Sequence, residues 1–344
     1  MSKDRDLTPR EARDRFLLRR KSENTENTVR SYRNRLTRFV EWAEQNEIES
    51  MAELDGWLLD EYRAHREDVD VAPTTLKGQL VALKQLLDFC VSIDVVDDDE
   101  LPKKVNIPEL SKDEETSDDL LEAQDARSLL EFYRNSRRHC GVSRHALLEV
   151  LWHVGPRISC VRALDLDDWN PADRTLKFRN RPPTRLKDGT EHERNVVVSE
   201  DVAEVLDLYI ARERTEIRDE NGRKPLFTTL QGRASEATIR GWSYLATIPC
   251  LDVECPHGNR RPTCEFTERS DVSKCPSSRS PHAVRTGSIT WQLNNGLSYV
   301  KVARRVAASP ETIRRYYDKP DHEQDLDRRR PITEKLDIKN DDED

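Results

Sequence analysis

Near the end of the chain, in "IRRYYDK" (residues 313–319), two tyrosines, Tyr316 and Tyr317, follow two arginines. A phenol has an ordinary pKa near 10, so it becomes a useful nucleophile at neutral pH only beside cations or a base. The pair alone leaves open which tyrosine would react and against what. Upstream, "PHAVRTG" sets His282 and Arg285 one helical turn apart. Arg157 closes a Gly-Pro turn in "HVGPRISCVRALDLDDW", and Lys187 lies in the turn of "TRLKDGTEHERNVVV". Singly, each is a weak signal, because a lone Arg or Lys ordinarily lies on a solvated face.

A second group has a different chemistry. "CLDVECPHGNRRPTCEFTERSDVSKCPSSRSPH" contains Cys250, Cys255, His257, Cys264 and Cys275, so four of the chain's seven cysteines fall within 26 residues. Thiolates with an imidazole suit a tetrahedral zinc ion, and a reducing compartment disfavours disulfides. The spacing is not that of a standard zinc finger, and five candidates leave one ligand spare. Structural zinc is the expectation, with buried thiols as the plainer alternative. Cys275 precedes His282 by only seven residues, so a metal clip there would fix the approach to the HxxR segment.

These residues must be positioned by mainly helical elements. In "TVRSYRNRLTRFVEWAEQ", Val29, Tyr32, Leu36, Phe39 and Val40 share one helical face, with Arg30, Arg33, Arg35 and Arg38 on the others. A second helix holds Leu54, Leu58 and Tyr62; a third starts at Pro73 and carries the stripe Leu76, Leu80, Leu83 and Leu87. Strands are expected at "TLKFR" and "RNVVV", and helices at 201–215, 235–246 and 282–317. The expected plan is a leader (1–21), a helical domain (22–93), an acidic linker (94–119), a second domain (120–330) with the Cys-rich insertion 250–275, and an acidic tail (331–344). The fold class is mainly α with a small antiparallel sheet.

A length of 344 residues suits two domains. Acidic residues outnumber basic ones, 66 to 57, so net charge does not advertise nucleic-acid binding; what counts is where Lys and Arg cluster. The acidic excess also fits a salty cytoplasm, where the Debye length falls to about 3 Å at 1 M. No stretch approaches the roughly 20 apolar residues of a membrane span, and "MSKDRDLTPREARDRF" has no apolar signal core. The expected location is the cytoplasm.

The order and spacing of the first group resemble those of the tyrosine recombinases, the phage integrase family. That family presents an Arg after a helix, a Lys in a β-turn, an HxxR box and a Tyr about thirty residues on. Here "ALDLDDW" after Arg157 is similar to its first box and "NNGLSYVKVARRVAASPETIRRYYDK" to its last. Arg285 to Tyr317 is 32 positions, the interval the family keeps, so the resemblance selects Tyr317 over Tyr316 as the nucleophile. It implies a helical core-binding domain and a catalytic domain, double-stranded DNA as partner, a homo-multimer on paired sites, and site-specific recombination through a 3′-phosphotyrosine. An archaeal, halophile-like member is expected.

The chemistry explains the residue types. Attack on a phosphodiester concentrates charge on the non-bridging oxygens, and arginine's planar fork is suited to hold them. Arg157 and Arg285 are the candidate clamp, His282 a further donor or the proton acceptor, and Lys187 the general acid for the leaving oxygen. Catalysis needs no cofactor on this reading, in keeping with the absence of GxxxxGK[ST] from the chain.

Two positions depart from the family pattern. Cys160 stands where an acidic residue is usual, and Ala308 stands nine residues before Tyr317, where a His or Trp donor is usual. Arg304, Arg305 or Trp291 would have to compensate. The rival readings are a non-catalytic DNA-binding regulator on the same scaffold and a type IB topoisomerase.

Overall fold

The computed structural model describes residues 6–333, apart from Ser117 and Asp252. The chain divides into two compact units, Met1–Ser117 and Asp118–Asp344.

The first unit is helical. Helix α1 (Pro9–Glu23) opens with a capping box, in which the Thr8 hydroxyl accepts from the Glu11 N–H while the Glu11 carboxylate accepts from the Thr8 N–H. It buries Ala12, Phe16 and Leu17. Helices α2 (Glu26–Gln45), α3 (Gly56–Asp68) and α4 (Pro73–Ser92) follow, capped at α2 and α3 by Thr25 and Asp55. Leu36, Phe39, Val40, Tyr62, Leu76, Leu80, Leu83 and Leu87 fill the core, as their periodicity predicts. Tyr32 is only half-buried, and its hydroxyl donates to Gln85 at 2.7 Å.

Two expected boundaries change. The segment read as a leader is mostly α1, part of this core; residues 1–5 lie outside the described residues. The acidic segment read as a linker packs largely on the first unit, with Val95, Val96, Leu101 and Val105 buried before a short helix α5 (Lys112–Glu115). Those four apolar residues follow no helical or strand period among the acids, so pattern reading passes over them.

The second unit is built around helix α7 (Ser143–Val154), which is buried over almost its whole surface and packs against α6 (Ala123–Asn135), α9 (Glu200–Arg212), α10 (Glu236–Ala246) and α11 (Pro281–Asn294). Helix α8 (Ile158–Ala163) leads to a three-stranded antiparallel sheet of order β1 (Trp169–Asn170), β2 (Thr175–Phe178), β3 (Arg194–Val197). Leu176 pairs with Val196, and both face the core. A small hairpin, β4 (Thr228–Thr229) and β5 (Gly232–Arg233), precedes α10. A buried ion pair ties the hairpin to the segment after α8, where Arg233 reaches Asp165 at 2.5 Å; Arg233 also reaches Asp219 at 2.7 Å, and the half-buried Arg181 reaches Asp168 at 2.6 Å.

The expected helix 282–317 is three helices: α11, α12 (Tyr299–Val306) and α13 (Pro310–Tyr316), with α14 (His322–Thr333) beyond them. The breaks fall at Gly296 and Ala307, both at positive φ. The acidic tail beyond Thr333 lies outside the described residues.

Gly287, in the middle of α11, is fixed by a close backbone approach. A Cβ there would sit 2.0 Å from the Leu121 carbonyl oxygen, whose own N–H donates to the Ala283 carbonyl. Gly287→Ala is therefore expected to destabilise the second unit by at least about 3 kcal/mol, because backbone must move to relieve the clash. Denaturant unfolding of the variant beside wild type measures this, and an unchanged midpoint would refute the close approach.

Candidate active site

Helix α7 ends on Gly155, in the left-handed region at φ +67°, followed by Pro156 and Arg157, the N-cap of α8. Ser280 caps α11, with Pro281 in its first turn; His282 and Arg285 then lie on one face. Tyr317 is the C-cap of α13, where its N–H donates to Ile313 and its carbonyl accepts from the Thr290 hydroxyl at 2.8 Å.

These elements converge at the C-terminus of α12. Three consecutive carbonyls there each accept from a different arginine: Arg305 from Arg194 Nε at 2.8 Å, Val306 from Arg285 Nη1 at 2.9 Å, and Ala307 from Arg157 Nη1. A helix C-terminus has unsatisfied carbonyls and partial negative charge, so it orients guanidinium groups. The left-handed turn at Ala307 (φ +52°) ends the helix where the last of these acceptors lies.

Arg285 is 1% exposed, and its Nε and Nη2 find no partner among the described residues. Burial pulls this guanidinium down to about 10; Tyr317 opposes the fall and Arg157 adds to it. Its Cζ lies 4.9 Å from the centroid of the Tyr317 ring, and the His282 ring lies 5.5 Å from the same centroid. Burial also holds the His282 imidazole below its ordinary value, helped by Arg285 and Arg157 and opposed by Asp119, so at neutral pH it can accept a proton.

The two tyrosines differ sharply. Tyr317 is 6% exposed and turned toward His282 and Arg285, whereas Tyr316 is 37% exposed and sits beneath Arg315.

Arg194, which begins β3, was not identified from the sequence. Its Nη1 donates to the His192 carbonyl at 3.0 Å, its Cζ lies 4.1 Å over the Phe178 ring, and its buried Nη2 has no partner. Burial lowers its pKa, with Cys160 opposing and Arg157 adding to the shift. Cys160, at the departing position, is therefore a neighbour of this extra arginine. Among the described residues none of Arg157, Arg194 and Arg285 is paired with a carboxylate.

Lys187 does not join this group by any contact. It is exposed on the β2–β3 connection and makes no hydrogen bond or ion pair among the described residues. Its neighbour Leu186 is buried, and the Leu186 N–H donates to Asn180 Oδ1 at 3.0 Å, so the lysine extends from an anchored stem.

Three comparisons bear on this arrangement. Residues 14–92 match the profile described as "Phage integrase, N-terminal SAM-like domain". The tyrosine recombinase XerD of Staphylococcus epidermidis is 23% identical over 208 residues, which span 60% of this chain and 66% of that protein. The chain belongs to the tyrosine recombinase family. Among solved structures, the Tn1549 transposon integrase in complex with a circular intermediate DNA has a TM-score of 0.67 at 15% identity, covering 96% of this chain and 100% of that one. A lambda integrase dimer bound to a COC′ core site has a TM-score of 0.57 at 11% identity, covering 94% and 77%. These likenesses show the two-domain tyrosine recombinase fold.

For a tyrosine recombinase, Ala308 is the notable departure. It lines a cavity of about 480 Å³ together with His192, Arg194, Ala303, Arg304 and Ala307. Of the three side chains considered as substitutes, only Arg304 lies there. Arg305 is committed to the carbonyls of Val197 and His153, and Trp291 is packed on Trp152 with ring centroids 5.6 Å apart.

His153, in the last turn of α7, is tied to the same region and provides a pH test. Its Nε2 accepts from the Ser199 N–H at 3.3 Å. Burial, aided by Arg305, lowers it to about 4. The folded value lies below the unfolded value of about 6.5, so between them the unfolded chain binds more protons. This stability is complete above about pH 6.5 and is lost as pH falls toward 4, on the order of 2 kcal/mol for a partly exposed group. Urea unfolding of wild type and His153→Gln at pH 7.5 and 4.5 should show the extra loss only in wild type; equal losses would contradict it.

The five sequence-predicted zinc ligands, Cys250, Cys255, His257, Cys264 and Cys275, all line one small cavity of about 10 Å³. Burial pushes the Cys250 thiol up; Arg261 opposes this, and Cys255, Cys275 and Cys264 add to it. Among the described residues, no group of three or more His, Cys, Asp or Glu side chains already stands in an arrangement that holds a metal ion. No described helix is long and apolar enough to cross a membrane.

Proposed function

We propose that this protein is a site-specific recombinase that cuts and rejoins duplex DNA through a covalent bond to Tyr317. The observation that carries the reading is the set of three arginines gathered at the end of α12, Arg285 buried and Arg157 and Arg194 half-buried, with the buried Tyr317 against Arg285 and none of the three paired with a carboxylate among the described residues. Burying cations without counter-charge is costly, so a site that does so is suited to an anion. A phosphodiester has the charge and the planar pairs of oxygens that guanidinium groups match.

In the proposed step the Tyr317 oxygen attacks phosphorus, its proton passing to the neutral His282 imidazole. The Tyr–O–P bond forms and the bond to the 5′-oxygen breaks, with Lys187 donating a proton to that oxygen. Lys187 lies on a turn, in keeping with a group that closes on bound DNA. Arg157 and Arg285 hold the non-bridging oxygens, and Arg194 adds cationic charge on the side left open by Ala308. Rejoining is the reverse attack by a 5′-hydroxyl. The phosphodiester energy is conserved in the phosphotyrosine, so the cycle balances without ATP or a cofactor. We further propose a homo-multimer on paired sites in the cytoplasm, with Arg30, Arg33, Arg35 and Arg38 of the first unit contacting phosphates.

Nicked suicide substrates made from the ends of the element carrying the gene test this, since loss of the 5′ fragment traps the adduct. A covalent protein–DNA band is expected. Absence of any adduct would favour the non-catalytic regulator, for which Ala308 is the supporting observation. Relaxation of supercoiled plasmid without site preference would favour a topoisomerase.

A further inference from the structure

The segment from Pro249 to Ser280 contains no strand or α-helix among its described residues, only four short 3-10 turns. Leu251 and Val272 are its only buried apolar side chains among the described residues. So small an apolar content does not hold some thirty residues in one conformation, and segments of this kind are usually secured by a covalent or metal crosslink.

The cysteines are placed for such a crosslink. Three of them open turns of the same make. The Cys255 carbonyl accepts from the Gly258 N–H at 3.0 Å, the Cys264 carbonyl from the Thr267 N–H at 3.2 Å, and the Cys275 carbonyl from the Ser278 N–H at 3.1 Å. Cys250 lies in a fourth turn, Pro249–Leu251. All four are free thiols, each partly buried, and all line the 10 Å³ cavity. That volume is about one water-sized sphere, too small for an organic ligand and suited to a single ion. His257 reaches the same cavity, but its Nε2 is engaged with the Ser277 hydroxyl at 2.9 Å.

We propose that Cys250, Cys255, Cys264 and Cys275 bind one structural zinc ion as four thiolates, with His257 outside the ligand set. Four soft ligands around one small cavity, once drawn together, fit zinc's tetrahedral preference and leave no open position for chemistry. Ligation draws the thiols inward from the places they hold around the cavity and releases a proton from each. The crosslink is coupled to the arginine cluster through the chain. The Ser278 hydroxyl donates to the Cys275 and Val272 carbonyls, Arg279 donates to the Leu120 and Pro276 carbonyls, and Ser280 caps the helix that bears His282 and Arg285. The proposal is independent of whether the protein cleaves DNA.

The test is metal content of the full chain by mass spectrometry after growth with zinc. One zinc per chain is expected, retained in His257→Ala and reduced at least tenfold in Cys264→Ser after a chelator wash. Because Cys264→Ser has a chance of not folding, the native chain is also titrated with a thiol reagent before and after chelation. Four additional reactive thiols should appear as zinc leaves, and thermal unfolding should shift down. No zinc in wild type, undiminished zinc in Cys264→Ser, loss in His257→Ala equal to that in Cys264→Ser, or no gain of reactive thiols would each overturn the assignment.

Discussion

Arg285→Met will reduce strand cleavage by about a hundredfold or more while leaving the thermal midpoint of the DNA-free protein within about 4 °C of wild type. The first half follows from the cost of removing one preorganised donor at a charge-developing centre. The second follows from the burial: Arg285 is 1% exposed, with two nitrogens unpartnered and no carboxylate paired with its charge among the described residues. Methionine of similar reach removes that desolvation cost but gives up the hydrogen bonds to the Gly155 and Val306 carbonyls. These opposed terms should nearly cancel, leaving a net change under about 1 kcal/mol, or about 2–4 °C for a domain of this size. A large fall in midpoint with cleavage intact would mean that Arg285 is structural. Site-specific cleavage and differential scanning fluorimetry on one preparation separate the two outcomes.

Tyr317→Phe will abolish covalent attachment, and Tyr316→Phe will leave it within about threefold of wild type. The rings of both variants can pack as before, because only a hydroxyl is lost. The Tyr317 ring centroid lies 4.9 Å from the Arg285 guanidinium carbon and 5.5 Å from the His282 ring centroid, so the ring packs beside both a cation and an imidazole able to accept a proton. Tyr316 has Arg315 over its ring, but it is six times as exposed, 37% against 6%. The covalent step has no substitute nucleophile in this arrangement. Adduct yields from suicide substrates at matched protein concentration measure the difference, and adduct surviving in Tyr317→Phe would contradict the assignment.

What the sequence makes legible is set by where the signal resides. The helical stripes of the first unit and the strands at 175–178 and 194–197 follow from side-chain periodicity, which burial imposes directly. The HxxR pair and the 32-residue interval to Tyr317 are spacings along the chain, and the fold brings those residues to one place. Arg194 carries no such spacing. Its place in the cluster comes from main-chain carbonyls at the end of α12, and backbone acceptors leave no mark in residue types. The break at Ala307 is hidden for a related reason: alanine favours helix, yet here it is held at φ +52° where its carbonyl accepts from Arg157. Helix α1 reads as a leader because its charged face dominates its composition, while its buried side holds only Ala12, Phe16 and Leu17 beside Pro9 and Arg13. In the Cys-rich segment the sequence supplies five ligand candidates, and only the His257–Ser277 contact separates the four thiols from the imidazole.

Mapping the adduct of the wild-type protein tests the central claim most directly. Trypsin cutting after Arg315 and after Arg328, the Lys319–Pro320 bond resisting cleavage, yields the peptide Tyr316–Arg328, which contains both tyrosines, and fragmentation of the nucleotide-bearing form distinguishes them. The account requires the phosphoryl group on Tyr317 in the trapped complex. The group on Tyr316, or on any residue outside this peptide, would contradict it.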